Sequence, residues 1–123
     1  MISLVLAAAL AAGPATAATE HYDVRTGGLD PAAVGAILEQ LHGCLADFFG
    51  KAPAGRLPVE LFADAAEFGR ALDSDGHPAI AGGGYYAPEN RKVYLYTQPS
   101  AYFTRQLLLH EATHQFHFLS STG

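Results

Sequence analysis

The sequence predicts an α+β domain: a small sheet packed on helices, with one buried helix near the C-terminal end of the chain. Three observations predict it. Strand-like and helix-like segments alternate along the chain, separated by Gly, Pro and Asp punctuation. No internal repeat or interdomain linker interrupts them, so residues 18–123 read as one domain. The stretch from residue 100 to 119 lacks Gly and Pro, and Leu107, Leu108, Leu109, Phe116 and Leu119 make it apolar nearly all round. That is the pattern of a helix enclosed by a domain.

The elements follow in order. The run from Ile2 to Ala12 is apolar, Gly13-Pro14 breaks it, and Ala15-Thr16-Ala17 offers an A-x-A cleavage site. Residues 1–17 therefore read as a secretory signal peptide, cut after Ala17 or Ala18, which implies a secreted or periplasmic protein. The run is too short to span a bilayer. Residues 20–25 alternate polar and apolar, as a strand does. Asp30-Pro31 supplies an N-cap and a first-turn proline, opening a helix to about Phe49 that Gly50 ends. Its stripe is Val34, Ile37, Leu38, Leu41, Leu45 and Phe48, and the single Cys44 falls within it as a buried thiol. One cysteine permits no internal disulfide and places no lipid anchor at the cleavage site.

Leu57-Pro58-Val59-Glu60-Leu61-Phe62 reads as a strand whose proline marks an edge. Asp64 with Glu67 resembles a capping box for a short helix to about Leu72. Residues 73–84 form a polar, Gly-rich loop with His77 on the surface. Its Asp73-Ser74-Asp75-Gly76 lacks the other ligands of a calcium loop. Val93-Tyr94-Leu95-Tyr96 is a strand, and Ser100 after Pro99 caps the last helix.

Half of the residues are apolar, which suits a folded domain, and the net charge is −5. The seven basic residues are scattered, with Arg91-Lys92 the only adjacent pair. Nothing here would hold nucleic acid or an anionic membrane surface.

The chemistry lies in His110-Glu111-Ala112-Thr113-His114, an H-E-x-x-H sequence. On a helix, positions i and i+4 share a face, so both imidazoles can reach one metal ion. The Glu beside the first His can take the proton of a water activated on zinc. His110 and His114 are thus expected as zinc ligands and Glu111 as general base. Phe103, Leu107, His110, Glu111, His114 and Phe118 recur at spacings of three and four, so this stripe is expected to face inward.

The run from Leu107 to Phe116 around these residues resembles the active-site helix of zincin metallopeptidases, and most of all the gluzincin branch and peptidase MA-like families. Gly82-Gly83-Gly84-Tyr85-Tyr86 followed by Val93-Tyr94-Leu95-Tyr96 is similar to the stretch that precedes the helix in those families. The resemblance covers about residues 57–119. It implies a zincin-like α+β fold, one catalytic Zn2+ and hydrolysis of a peptide or protein substrate. The third zinc ligand of gluzincins is a Glu on a later helix, and no acidic residue follows Glu111. The expectation is an N-terminal part of a longer enzyme, with the third ligand outside this chain.

His117 is the nearest alternative ligand, about 10 Å along the helix from His110. The Val93–Tyr96 strand, with residues 82–87 leading in, is the candidate edge for substrate strand addition. Tyr85, Tyr86, Tyr94 and Tyr96 are candidates for a hydrogen bond to an oxyanion. The alternatives are a non-catalytic exported binding or scaffold module of zincin-like fold, and a structural or transport metal site on His110, His114 and His117.

Overall fold

The computed structural model describes residues 14–122. The apolar run of the expected signal peptide lies outside these residues. Among the described residues five strands and three helices follow one another: β1 (Ala15–Ala18), β2 (Tyr22–Thr26), α1 (Pro31–Phe49), β3 (Leu57–Phe62), α2 (Ala65–Ser74), β4 (Gly84–Ala87), β5 (Lys92–Tyr96) and α3 (Ala101–Thr122). The architecture is α+β, a mixed sheet in the order β1-β2-β3-β5-β4. The inner strands β2, β3 and β5 run parallel; β1 and β4 pair antiparallel at the two edges. No described helix is long and apolar enough to cross a membrane.

Alternation along the strands divides the core into two layers. Val24, Val59, Leu61, Val93 and Leu95 point to one face and pack with Leu38 of α1 and Leu108 and Ala112 of α3. Phe62 and Tyr94 point to the other face and meet Phe68 and Leu72 of α2. Covered on both sides, Val93, Tyr94 and Leu95 of β5 are all buried.

The expected caps are in place. Asp30 accepts from the Ala32 amide at 3.0 Å, and Asp64 accepts from that of Glu67 at 2.9 Å. The Ser100 hydroxyl oxygen accepts from the Phe103 amide at 3.1 Å. Gly50 stops α1 in the left-handed region, φ 72°, with its N–H bonded to the Ala46 carbonyl, a conformation that costs glycine little.

Ala15–Ala18, which holds the expected A-x-A cleavage site, forms the edge strand β1. Several expectations need correction. The strand expected at residues 20–25 begins at Tyr22, because residues 19–21 make the turn from β1. Pro58 does not mark an edge: β3 is the central strand. The Leu57 amide bonds to His21 on the β2 side, so Pro58 turns toward β5, whose pairing starts only at Val59. The missing N–H is therefore not needed, and the Pro58 carbonyl accepts from Gln115 Nε2 at 3.0 Å.

The buried stripe of α1 is Val34, Gly35, Leu38 and His42. A stripe stepping by four leaves Cys44 exposed and Phe48 81% exposed, contrary to the buried thiol expected. His77 is half-buried, its ring between Tyr85 and Tyr94 at 5.7 and 5.5 Å, because the loop folds back over the α2 side of the sheet.

A helix enclosed by the domain was expected at residues 100–119, but among the described residues α3 is covered on one side. Thr104, Leu108, Glu111, Ala112, Gln115 and Phe116 are buried, whereas Phe103, His110, His114 and Phe118 are exposed. The sheet and α1 lie against one face, and no other described element lies over the opposite face.

Candidate metal and catalytic site

The H-E-x-x-H residues occupy the middle of α3, beside the edge strand β4. His110 Nε2 and His114 Nε2 approach to 3.1 Å, with their rings nearly perpendicular. Two imidazoles bound tetrahedrally to zinc at about 2.0–2.1 Å hold their nitrogens about 3.3 Å apart. The pair therefore fits a zinc ion with little adjustment.

Glu111 lies one position round the helix, 8% exposed. Its carboxyl group is packed against β4. A Cβ placed on Gly84 would stand 2.9 Å from Glu111 Cγ and 3.1 Å from Oε2, so only a residue without a side chain permits this approach. Burial raises the Glu111 pKa, while the nearby His110 and His114 pull it down. A carboxylate that is desolvated and set beside two imidazoles spaced to hold a metal suits a proton acceptor.

An open cleft of about 460 Å³ adjoins Glu111 and His114, and Tyr86, His117, Phe118 and Ser121 complete its lining. The strand register separates the four tyrosines. Tyr86 points toward α3 and into this region, whereas Tyr85, Tyr94 and Tyr96 point to the α2 face, away from Glu111. The Tyr86 hydroxyl is buried without a hydrogen-bond partner, and burial raises its pKa.

The strand expected to offer a free edge, Val93–Tyr96, is interior. Among the described residues the free edge is β4, Gly84–Ala87, which lies within the residues 82–87 expected to lead into that strand. Four residues with a glycine start are too short and too irregular to read as a strand from periodicity.

His117 does not join the pair. It stacks on Phe49 at 5.2 Å, nearly parallel, and no third described side chain completes a ligand set with His110 and His114. A different trio comes together among the described residues: Glu20, His21 and Glu39, with ligand atoms within 4.8 Å of one another. Glu39 is already engaged. One oxygen accepts from Thr19 Oγ1 and the His21 amide, and the other meets His21 Nδ1 at 2.7 Å.

Burial alone would raise the Glu39 pKa, but these hydrogen bonds and the His21 charge bring it down to about 2. His42, 4% exposed, stacks beneath His21 at 3.8 Å, and burial followed by the His21 charge lowers its pKa. The trio clasps the β1–β2 turn to α1 and could also hold a metal ion. Sequence reading missed it because Glu39 and His21 are joined by tertiary packing, not by any local spacing.

The fold and site together define an α+β domain carrying H-E-x-x-H on a half-buried helix beside a free sheet edge. No family model, curated protein or solved structure matches the chain.

Proposed function

We propose that this protein is a zincin-like, zinc-dependent hydrolase of peptide bonds, exported from the cell. The observation that carries the reading is the 3.1 Å convergence of His110 and His114, with Glu111 held against Gly84 next to the free edge of β4. A zinc ion held by His110 and His114 would supply Lewis acidity, polarising the scissile carbonyl and lowering the pKa of water.

The chain's own groups do the rest. The edge of β4 pairs with an extended substrate and fixes the scissile bond along α3. Glu111 accepts a proton from the attacking water and passes it to the leaving amine, which departs as a neutral group. The low polarity around Glu111 keeps its carboxyl group a strong enough acceptor for that transfer.

One observation favours a second reading, an exported binding or scaffold module without catalysis: no third ligand joins the two histidines among the described residues. Zinc content and peptide hydrolysis of the wild type and Glu111→Gln separate the two. The hydrolase reading expects bound zinc in both proteins and hydrolysis in the wild type alone. Equal hydrolysis by Glu111→Gln overturns the role of Glu111, and zinc binding without hydrolysis in either protein supports the module.

A further inference from the structure

We infer that the cavity between the first turns of α1 and α3 is a binding site for a small amphipathic anion, an aliphatic chain ending in a carboxylate. The inference is independent of the hydrolase reading, because this cavity shares no lining residue with the cleft at Glu111. It measures about 550 Å³, within the size range of small-molecule sites. It lies beyond the carboxyl ends of the parallel strands β2, β3 and β5, where open sheets flanked by helices leave a crevice.

The sequence makes the interior of this cavity apolar. Val34 and Ile37 of α1, Leu61 of β3 and Leu108 of α3 line it, and all four belong to the core that joins these elements. Leu29 adds a side chain that is 39% exposed. An aliphatic chain seated here gains from every methylene taken out of water.

The polar groups decide the charge of the ligand. Most of those around the cavity are already committed. Asp30 caps α1 by accepting from the Ala32 amide, and the positive end of that helix balances its charge. Ser100 accepts from the Phe103 amide. Thr104 Oγ1 donates to the Ser100 carbonyl at 3.0 Å and accepts from the Gln98 amide at 2.9 Å. Gln98 Nε2 donates to the Tyr96 carbonyl at 2.8 Å. Arg105 differs. Among the described residues it is the one base lining the cavity, and its guanidinium makes no ion pair or hydrogen bond. It also stands near the positive end of α3, which disfavours a cation and favours an anion. A carboxylate can accept two parallel N–H bonds from the guanidinium while its tail enters between the helices. A cationic headgroup would meet Arg105 as a like charge.

Isothermal titration calorimetry of the full chain with hexanoate, octanoate, octanol and octylammonium tests the site. One octanoate per chain should bind, about tenfold more tightly than hexanoate, which lacks two methylenes. It should also bind at least about fivefold more tightly than octanol or octylammonium. Arg105→Gln should remove that preference, and Arg105→Glu should transfer it to octylammonium. Ala33 lines the cavity from an exposed position, so Ala33→Trp should fill it and abolish octanoate binding. Circular dichroism checks folding, and the exposed Arg105 variants carry the test if Ala33→Trp does not fold.

No saturable octanoate binding, binding unchanged in Ala33→Trp, or equal affinity for octanoate and octanol overturns the inference. Sedimentation velocity tests the other occupant. Self-association that is lost in Ala33→Trp would assign the cavity to a second copy of the chain and overturn the small-anion site.

Discussion

Gly84→Ala probes the contact that sets Glu111 in place. The added methyl would stand 2.9 Å from Glu111 Cγ, 3.1 Å from Oε2 and 3.2 Å from Cδ, whereas relaxed carbon contacts lie at about 3.5–4.0 Å. The backbone of Gly84 is not in the left-handed region, so the cost is steric. β4 is hydrogen-bonded to β5 and yields little, so the Glu111 carboxyl group must retreat by roughly 0.5–1 Å. Overpacking of this kind costs about 1–3 kcal/mol, and a side chain with a solvent-facing escape falls near the lower end.

A misplacement of about 1 Å lowers a catalysed rate on the order of 100-fold, equivalent to about 2.7 kcal/mol of barrier. The assay pairs urea unfolding with zinc content and peptide hydrolysis. Gly84→Ala should keep its zinc, lose about 1 kcal/mol of stability and lose most of its activity. Glu111→Ala removes every atom that the methyl group strikes, so the double variant should be no less stable than Glu111→Ala alone, a coupling of about 1 kcal/mol. Strict additivity of the two changes, or full activity in Gly84→Ala, would refute the reasoning.

Gln115 is fully buried, and its side-chain amide donates to Pro58 O and Arg91 O. Gln115→Ala removes both hydrogen bonds and opens a cavity, so urea unfolding should show a loss of about 2–4 kcal/mol. His114→Ala should abolish zinc uptake measured by elemental analysis, whereas His117→Ala should not, since His117 stands apart from the pair. Glu39 is held at about 2, below its usual value of 4.5. A depressed acid stabilises the fold above its unfolded pKa and loses that contribution as pH falls through the folded one. The full shift amounts to about 3 kcal/mol, which partial solvation trims to about 1–2 kcal/mol. Acid titration of wild type against Glu39→Gln should show the difference at pH 6 and its disappearance between about pH 4.5 and 2. Cys44 is exposed, so it should react with a thiol reagent in the native state as fast as in urea.

What the sequence made legible was local. Asp30, Asp64, Ser100 and Gly50 mark helix ends through bonds made within four residues, and each does so in the structure. The facing of His110 and His114 is equally local, a consequence of helical pitch. Which way a helix faces is not local. The apolar residues of α3 surround the helix, so periodicity could not tell the covered stripe of Leu108, Ala112 and Gln115 from the open one of Phe103, His110 and Phe118. Strand order was hidden for the same reason. Pro58 argues for an edge unless β5 is known to start one residue later, and only tertiary pairing supplies that fact. The contact of Gly84 with Glu111 and the clasp of Glu39 on His21 join residues far apart in the chain, and no spacing announces them.

The sheet also shapes how the chain can assemble. Its edges are made cheaply: Ala87 pairs with Lys92 across one turn, and Ala18 with Asp23 across another. The centre is different. Tyr22 meets Leu57 only after the whole of α1 has been crossed, and Val59 meets Val93 only after α2 and β4. Two hairpins of low contact order therefore flank a parallel core whose loop-closure entropy is met late. The hairpins can form within microseconds. Docking of β3 between them is expected to come last, and β3 is the strand to which Gln115 ties the histidine-bearing helix. Seating of that helix on the sheet and completion of the central sheet would arrive in the same step.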